Sequence, residues 1–239
     1  MAPINTTTAA AGASSAPPAT IEVDQPGSPQ QEQTYQKPQY HPATQLVHFE
    51  SITGDKDEIL GIRDPYRAAA VPLYQAATFR QPSAEGSGEY DYTRSGNPTR
   101  TAVENHLAKL FKAEWAFVVS TGMTALDALL KLVPAGGHII AGTDIYGGTN
   151  RLVTFYQKQG YLEAHHVDTT DIESVRAKLD PVKTRLVLLE TPTNPLIKVV
   201  DVRAICDLVH AKCPNALVVV DNTMMSPYLQ NCLDLGADI

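Results

Sequence analysis

Apolar residues recur in two different patterns from residue 98 onward. Spacings of three and four residues predict helices over residues 98–111, 123–133, 152–159, 172–179 and 202–212. Short continuous apolar runs predict strands over residues 115–119, 138–141, 162–167, 185–189 and 217–220. Because strands that alternate with helices of this length are typical of βαβ units, the pattern predicts a mostly parallel sheet with helices on both faces.

The first part of the chain has a different composition. Residues 1–42 are rich in Ala, Thr, Pro, Ser and Gln and hold almost no large aliphatic side chains. Such a segment buries too little apolar surface to offset its ordering entropy, so we predict a disordered N-terminal extension. A short helix is predicted over residues 44–48, near the start of a proline-punctuated N-terminal arm, residues 43–97. Residues 98–239 then form the predicted α/β domain.

Charge and composition argue against several partners and locations. The net charge is −7 and no basic block occurs, so neither nucleic acid nor an anionic membrane is an expected partner. The chain has no apolar run of about 18 residues, and its start lacks the basic and apolar regions of a secretory signal. Cys206, Cys213 and Cys232 do not pair with His at metal-ligand spacing. We therefore expect buried thiols, no metal site and a cytoplasmic location.

Small and polar residues follow two of the predicted strands, at the sheet edge where parallel sheets bind ligands. Residues 120–124 (Ser-Thr-Gly-Met-Thr) open a helix, and bare N–H groups at a helix N-terminus bind anions. Taken alone, these residues fit an ordinary Ser or Thr N-cap better. Tyr146 follows the next strand beside two glycines. Its ring suits either stacking on an aromatic ligand or ordinary packing.

An amide and a carboxylate follow two later strands. Asn194 lies in a loop fixed by two prolines, residues 190–195. Asp221 directly follows an all-apolar run. A partly desolvated acid at this position favours a cationic partner, such as a protonated pyridine nitrogen. An aspartate there could equally cap the following turn. Together, the four features fit a phosphorylated pyridine. A dinucleotide fits less well, because no Gly-x-Gly-x-x-Gly follows a strand and no P-loop is present.

Residues 90–99 (Tyr-Asp-Tyr-Thr-Arg-Ser-Gly-Asn-Pro-Thr) resemble the signature of the Cys/Met-metabolism enzymes that use pyridoxal 5′-phosphate (PLP). The resemblance extends from about residue 44 to residue 239. It implies PLP as the cofactor and the large α/β domain of an aspartate-aminotransferase-like fold (fold type I), with a mostly parallel sheet that is incomplete at its C-terminal end. It also implies a homo-oligomer, a dimer of dimers, with active sites shared between subunits.

The resemblance assigns roles to individual residues. Tyr92 and Arg94 are expected to bind the cofactor phosphate of the neighbouring subunit, a task that suits the bidentate fork of Arg. Tyr146 is expected to stack on the cofactor ring, and Tyr146 and Tyr92 are the expected catalytic side chains. The other expected contacts are the phosphate with backbone N–H groups of Gly122 and Met123, the ring hydroxyl with Asn194, and the ring nitrogen with Asp221, beside which Thr223 lies.

Within this family, residues 71–79, 81–84, 225–227 and 235–239 are similar to fungal and plant members that cleave L-cystathionine by β-elimination. The resemblance implies that reaction, which gives homocysteine, pyruvate and ammonia. Gly148 departs from the cysteine that methionine γ-lyases carry after the corresponding Tyr-Gly pair. A cystathionine γ-lyase or γ-synthase is an alternative, because much of the surface that selects the substrate is expected beyond residue 239.

The family's cofactor-binding lysine has no counterpart in the matching context here. In the family it follows a segment like residues 235–239, and none of the ten lysines of this sequence follows a strand in that way. Because that lysine binds the cofactor and moves protons, we expect the 239 residues to be inactive alone. A second alternative is a non-catalytic polypeptide that only associates with full-length subunits.

Overall fold

The computed structural model describes residues 40–86 and 88–239. The helices are α1 (Pro42–Gln45), α2 (Pro98–Phe111), α3 (Gly122–Leu130), α4 (Gly147–Lys158), α5 (Ile172–Lys178), α6 (Val202–Lys212) and α7 (Ser226–Leu229). The strands are β1 (Glu58–Ile59), β2 (Ile62–Arg63), β3 (Gly137–Gly142), β4 (Leu162–Val167), β5 (Thr184–Glu190) and β6 (Leu217–Asp221), and a 3₁₀ turn covers Leu233–Leu235. Within the described ranges, no helix combines enough length and apolar character for a transmembrane segment.

Four parallel strands form the main sheet, in the order β4-β3-β5-β6. The register pairs Glu190 with Asp221 at the carboxyl ends of β5 and β6. The last residues of the chain run along the open side of β6, where the Asp238 amide donates to the Val218 carbonyl at 2.9 Å. The predicted mostly parallel sheet is therefore confirmed, and its carboxyl edge gathers the ends of β3, β5 and β6.

Both faces of this sheet are covered, as the pattern predicted. Ile139 and Ala141 of β3 pack into one buried cluster with residues of α3 and α4. Ile140, which lies between them, packs into a second cluster with residues of α5 and α6. Because successive side chains of a strand point to opposite faces, the near-continuous apolar runs serve both cores. This confirms the α/β class.

Residues 115–119 do not form a strand, so this prediction was wrong. Within the described residues, the segment has no regular secondary structure and no strand partner. Trp115 and Phe117 are 72% and 83% exposed. An apolar run becomes a strand only where a neighbouring strand supplies hydrogen-bond partners for its backbone. The pattern of apolar residues in a sequence does not show whether such a neighbour is present. Here the Val118 amide instead donates to Glu104 Oε1 at 2.9 Å.

Several helix ends also differ from the prediction. Helix α4 begins at Gly147 and not at residue 152, because glycine is tolerated in a first turn, whose N–H groups have no intrahelical partner. Helix α1 begins at Pro42, since proline suits the first helical position, and it ends at Gln45 before reaching the predicted residue 48. Helix α3 ends at Leu130, three residues before the predicted end.

The N-terminal arm packs on α2 through a small apolar cluster that includes Leu60. The hairpin of β1 and β2 turns at Leu60 and Gly61, whose φ angles are 50° and 81°. The pKa of Glu58 in this hairpin is lowered to about 2. Burial alone would raise this pKa, but hydrogen bonds from the Thr53 hydroxyl and from nearby backbone amides outweigh the effect of burial. The predicted disordered extension, residues 1–42, lies outside the described residues except for residues 40–42.

The three cysteines are buried free thiols, as predicted. Burial raises the pKa of the Cys206 thiol to about 11, and burial also raises the pKa of Cys213 and of Cys232. Because the thiolate is the reactive form, these side chains are inert packing groups.

Candidate active site

The N-terminus of α3 presents two unpaired backbone N–H groups. Thr121 caps the helix by accepting the Thr124 amide at 3.1 Å, while no acceptor among the described residues takes the Gly122 or Met123 amide. A Cβ added to Gly122 would meet no atom of the described residues within 4 Å. The helix end is therefore open to a ligand, and the macrodipole favours an anion there.

Tyr146 lies beside this helix end. It is the N-cap residue of α4, and its side chain is 45% exposed. A Cβ added to Gly148 would lie 2.4 Å from Tyr146 Cε1 and 2.9 Å from Met123 Sδ, so the tyrosine ring and the methionine sulfur both pack over the glycine. The structure thus brings the predicted anion site and the predicted stacking ring together.

Asp221 ends β6 and is held from one side. The Thr223 amide and hydroxyl both donate to Asp221 Oδ1, at 3.1 and 2.5 Å. Within the described residues, no donor binds the other oxygen, Oδ2. Asp221 can therefore accept a hydrogen bond from a cationic N–H group at Oδ2 while Thr223 keeps the carboxylate oriented.

Glu190 connects the two loops beside this carboxylate. It is the last residue of β5, only 6% exposed, and its Oε2 and Oε1 accept the amides of Tyr146 and Asn194, each at 2.7 Å. Burial raises the pKa of Glu190, the two amide hydrogen bonds oppose that rise, and the charges of Asp221 and Asp144 add to it. Glu190 was not among the residues predicted from the sequence to bind a ligand, although it ends an apolar strand just as Asp221 does.

The loop after Glu190 is internally bonded and places Asn194 at the surface. The buried Thr193 hydroxyl donates to Asp144 Oδ2, which ties this loop to the one before α4. The same Thr193 oxygen accepts the Lys198 amide at 2.9 Å. Asn194 itself is exposed, so its side-chain amide is free to meet a ligand at the edge formed by Tyr146 and Asp221.

Tyr92 and Arg94 lie on the arm, and no contact between described residues links either side chain to Asp221 or Tyr146. Tyr92 forms an isolated bridge with Thr78, and the Arg94 guanidinium lies 5.0 Å from the centroid of the Tyr92 ring. Both side chains are exposed. The structure thus assembles six of the eight predicted cofactor residues at one edge and keeps these two as a separate, preassembled pair.

Known proteins match most of this chain. The family model for "Cys/Met metabolism PLP-dependent enzyme" matches residues 60–239. Cystathionine β-lyase of Neurospora crassa is 50% identical over 214 residues, which cover 90% of this chain and 44% of the relative. Cystathionine β-lyase of Schizosaccharomyces pombe is 49% identical over 200 residues, which cover 84% of this chain and 48% of the relative.

Solved structures share the fold. Cystathionine γ-lyase from Lactobacillus plantarum, complexed with L-serine, matches with a TM-score of 0.73 and 40% identity, over 83% of this chain and 49% of that one. The chain thus spans about half the length of the curated relatives it matches.

Proposed function

The chain belongs to the Cys/Met-metabolism PLP-dependent enzymes, whose cofactor is pyridoxal 5′-phosphate, and we propose that it forms the cofactor-binding half of a cystathionine β-lyase. This enzyme would cleave L-cystathionine to homocysteine, pyruvate and ammonia. One observation carries the proposal: the open end of α3, the Tyr146 ring and the Asp221 carboxylate meet at a single sheet edge. The choice of substrate rests on the two relatives named cystathionine β-lyase.

The side chains at this edge fit the chemical groups of PLP. The unpaired amides of Gly122 and Met123 would bind its phosphate, and the Tyr146 ring would cover one face of its pyridine and exclude water there. Asp221 Oδ2 would hold the proton on the ring nitrogen, with Thr223 fixing the other oxygen. When bound, PLP supplies an electron sink for the negative charge that develops at the substrate α-carbon.

Asn194, in the loop that follows Glu190, supplies a further proposed contact with PLP. Its side-chain amide is a donor that would approach the ring hydroxyl, and its backbone is fixed by the 2.7 Å hydrogen bond to Glu190 Oε1. A donor carried by a fixed backbone segment needs less reorganisation than solvent when charge develops on the substrate, so it stabilises the transition state more than solvent would.

We also propose that residues 1–239 do not turn over cystathionine by themselves, because the reaction needs a lysine amine at this edge to bind cofactor and move protons. Five lysine side chains of the described residues form ion pairs or hydrogen bonds elsewhere in the chain: Lys109 with Glu50, Lys112 with Asp234, Lys131 with Asp127, Lys198 with Asp168, and Lys212 with the Arg176 carbonyl. None of these partners is a residue of the proposed cofactor site.

A comparison of two proteins tests both statements. One is the chain alone; the other, called the fusion below, joins residues 1–239 to the second half of the Schizosaccharomyces pombe relative. With PLP and cystathionine, the fusion should release pyruvate and homocysteine in equal amounts, and the chain alone should release neither. The chain alone is then treated with borohydride, which fixes any lysine–cofactor linkage, and is mapped by mass spectrometry.

Each statement has its own contradicting result. A folded, PLP-loaded fusion without turnover would contradict the lyase proposal and would favour a polypeptide that only associates with other subunits. One stoichiometrically labelled lysine in the chain alone, together with pyruvate release, would show that the catalytic lysine lies within the 239 residues.

The similarity to a cystathionine γ-lyase supports a second candidate reaction. Cleavage on the γ side of cystathionine gives cysteine and 2-oxobutyrate, whereas cleavage on the β side gives homocysteine and pyruvate. The same assay of the fusion separates the two, because each reaction yields a different keto acid and a different thiol.

Alanine at position 148 should weaken PLP binding while the fold stays intact. The new Cβ would lie 2.4 Å from Tyr146 Cε1, so the exposed ring must swing away from its position beside Met123. Loss of a stacking contact of about 1 kcal/mol weakens binding about fivefold, which a fluorescence titration with PLP measures. Gly147→Ala is the matched control, because the one described atom that its Cβ would meet within 4 Å is Arg151 Nη1, at 3.7 Å. Equal PLP affinity in both variants would contradict the assigned role of Tyr146.

A further inference from the structure

Glu190 is a buried carboxylate that no charged side chain neutralises within the described residues. Its two oxygens are divided between two loops: Oε2 accepts the Tyr146 amide from the loop before α4, and Oε1 accepts the Asn194 amide from the loop after β5. Both distances are 2.7 Å, short enough for charge-assisted hydrogen bonds. Burying a carboxylate without a cation lowers the stability of the folded protein. A carboxylate that is nevertheless buried here therefore has a role that offsets this loss of stability.

Only an ionised carboxylate satisfies this geometry. Both partners of Glu190 are N–H donors, so the position requires two acceptor oxygens. Glutamine has the same shape but would turn its NH₂ group toward one of the two amides, which leaves two donors facing each other. Aspartate keeps both acceptors but is shorter by one methylene, so it cannot reach both loops equally well.

The two loops that Glu190 holds carry two of the proposed cofactor contacts. Tyr146 is the N-cap residue of α4, and its own side chain does not cap that helix. Two hydrogen bonds among the described residues hold the backbone that bears the ring: the Tyr146 amide donates to Glu190 Oε2, and the Tyr146 carbonyl accepts the Asn150 amide at 3.0 Å. Asn194 bears the amide that would meet the ring hydroxyl. In the strand register, Glu190 pairs with Asp221, the third contact.

We propose that Glu190 is a positioning residue that sets the placement of Tyr146 and Asn194 around the PLP ring through its two backbone hydrogen bonds. This inference rests on the proposed function, since it concerns how the same site holds its cofactor. Glu190 acts through the two loops, because the loop amides occupy both of its oxygens.

The test uses the full chain, PLP as the probe and three variants: Glu190→Gln, Glu190→Asp and the control Glu173→Gln. Glu173 is an exposed acid on α5 that pairs with Arg176. Two quantities are measured: the dissociation constant for PLP, and the visible circular dichroism per bound PLP, which reports how asymmetrically the ring is held. Far-ultraviolet circular dichroism checks the fold of each variant.

Glu190→Gln should weaken PLP binding about tenfold, because it loses one charge-assisted hydrogen bond, and it should lower the visible ellipticity per bound PLP at least about twofold. Glu190→Asp should fall between Glu190→Gln and the unsubstituted chain, and Glu173→Gln should match the unsubstituted chain. A merely structural role would lower the number of PLP molecules bound but would leave the ellipticity per bound PLP unchanged.

The outcomes separate this inference from the proposed function. If the unsubstituted chain binds no PLP, the assignment of this sheet edge as the cofactor site is contradicted and the inference falls with it, whereas the lyase reaction itself is tested by the fusion. If the chain binds PLP and both folded Glu190 variants match it in affinity and ellipticity, only the inference is overturned. If Glu190→Gln does not fold, Glu190→Asp decides alone: lower ellipticity per bound PLP supports the proposal, and unchanged ellipticity overturns it.

Discussion

Asparagine in place of Asp221 should lower the rate of pyruvate release by the fusion at least about 100-fold, the usual effect of removing a preorganised group that stabilises charge in the transition state. Asp221 Oδ2 has no donor among the described residues, while Oδ1 is held by Thr223. This leaves one oxygen for the protonated ring nitrogen. Asparagine is neutral, so the ring nitrogen would lose its proton and the cofactor would stabilise the substrate charge poorly.

The size of the effect distinguishes an electronic role from a structural one. Asp221→Asn keeps the side-chain shape and one acceptor for Thr223, so the melting temperature should stay close to that of the unsubstituted fusion. Asp207→Asn, on the exposed face of α6, is the matched control and should leave the rate unchanged. Turnover of cystathionine by a PLP-loaded Asp221→Asn fusion at the control rate would contradict the assignment of this carboxylate.

The sheet could be predicted from the sequence because its strands are continuous apolar runs that serve two cores. Ile139 and Ile140 are neighbours in the chain yet pack into different clusters, which is why β3 shows no alternation. Residues 115–119 have the same local pattern, but their side chains are exposed and they have no strand partner in the described ranges. Strand pairing depends on residues that are distant in the sequence, so an apolar run predicts a strand only if a partner strand lies beside it in the fold.

The candidate site was predictable to the extent that it follows from topology. Parallel strands end at one edge, so the residues that follow them, such as Tyr146 and Asp221, had to lie near one another. The role of Glu190 could not be predicted in this way, because its partners are backbone amides, and the sequence does not show where an amide points. An acid at the end of an apolar strand was the available signal, as it was for Asp221.

The helix ends show the same limit on a smaller scale. Gly147 and Gly148 suggested a loop, whereas both lie in the first turn of α4. The Tyr146 ring and the sulfur of Met123, which is distant from it in the sequence, both pack over Gly148. Glycine in a sequence can therefore mark a close approach as well as a turn, and only the structure separates the two.

The pair of Tyr92 and Arg94 leads to the second prediction of large effect, which concerns two subunits. In the described chain the Arg94 guanidinium lies over the Tyr92 ring, 5.0 Å from its centroid, and both side chains are exposed on the arm just before α2. We propose that this pair binds the PLP phosphate of a neighbouring subunit. Arg94→Ala in the fusion should then lower activity at least about tenfold, because a bidentate, charge-assisted phosphate contact is lost.

Mixed subunits test on which chain Arg94 acts. Fusions with Arg94→Ala and with Asp221→Asn should each be nearly inactive, and they are mixed in equal amounts under conditions in which subunits exchange. If sites are shared between two subunits, one site of every mixed dimer contains both intact residues. Random exchange makes about half of the dimers mixed, so about one quarter of the unsubstituted activity should return.

If Arg94 binds phosphate within its own chain, every site keeps one of the two substitutions and mixing restores nothing. Native mass spectrometry shows whether mixed oligomers have formed, so an absence of recovery in verified mixed oligomers would contradict a shared site. Arg176→Ala, an exposed arginine on α5 paired with Glu173, is the control and should retain full activity. Its mixture with Asp221→Asn should show only the average of the two separate activities, because it brings no missing residue to any site.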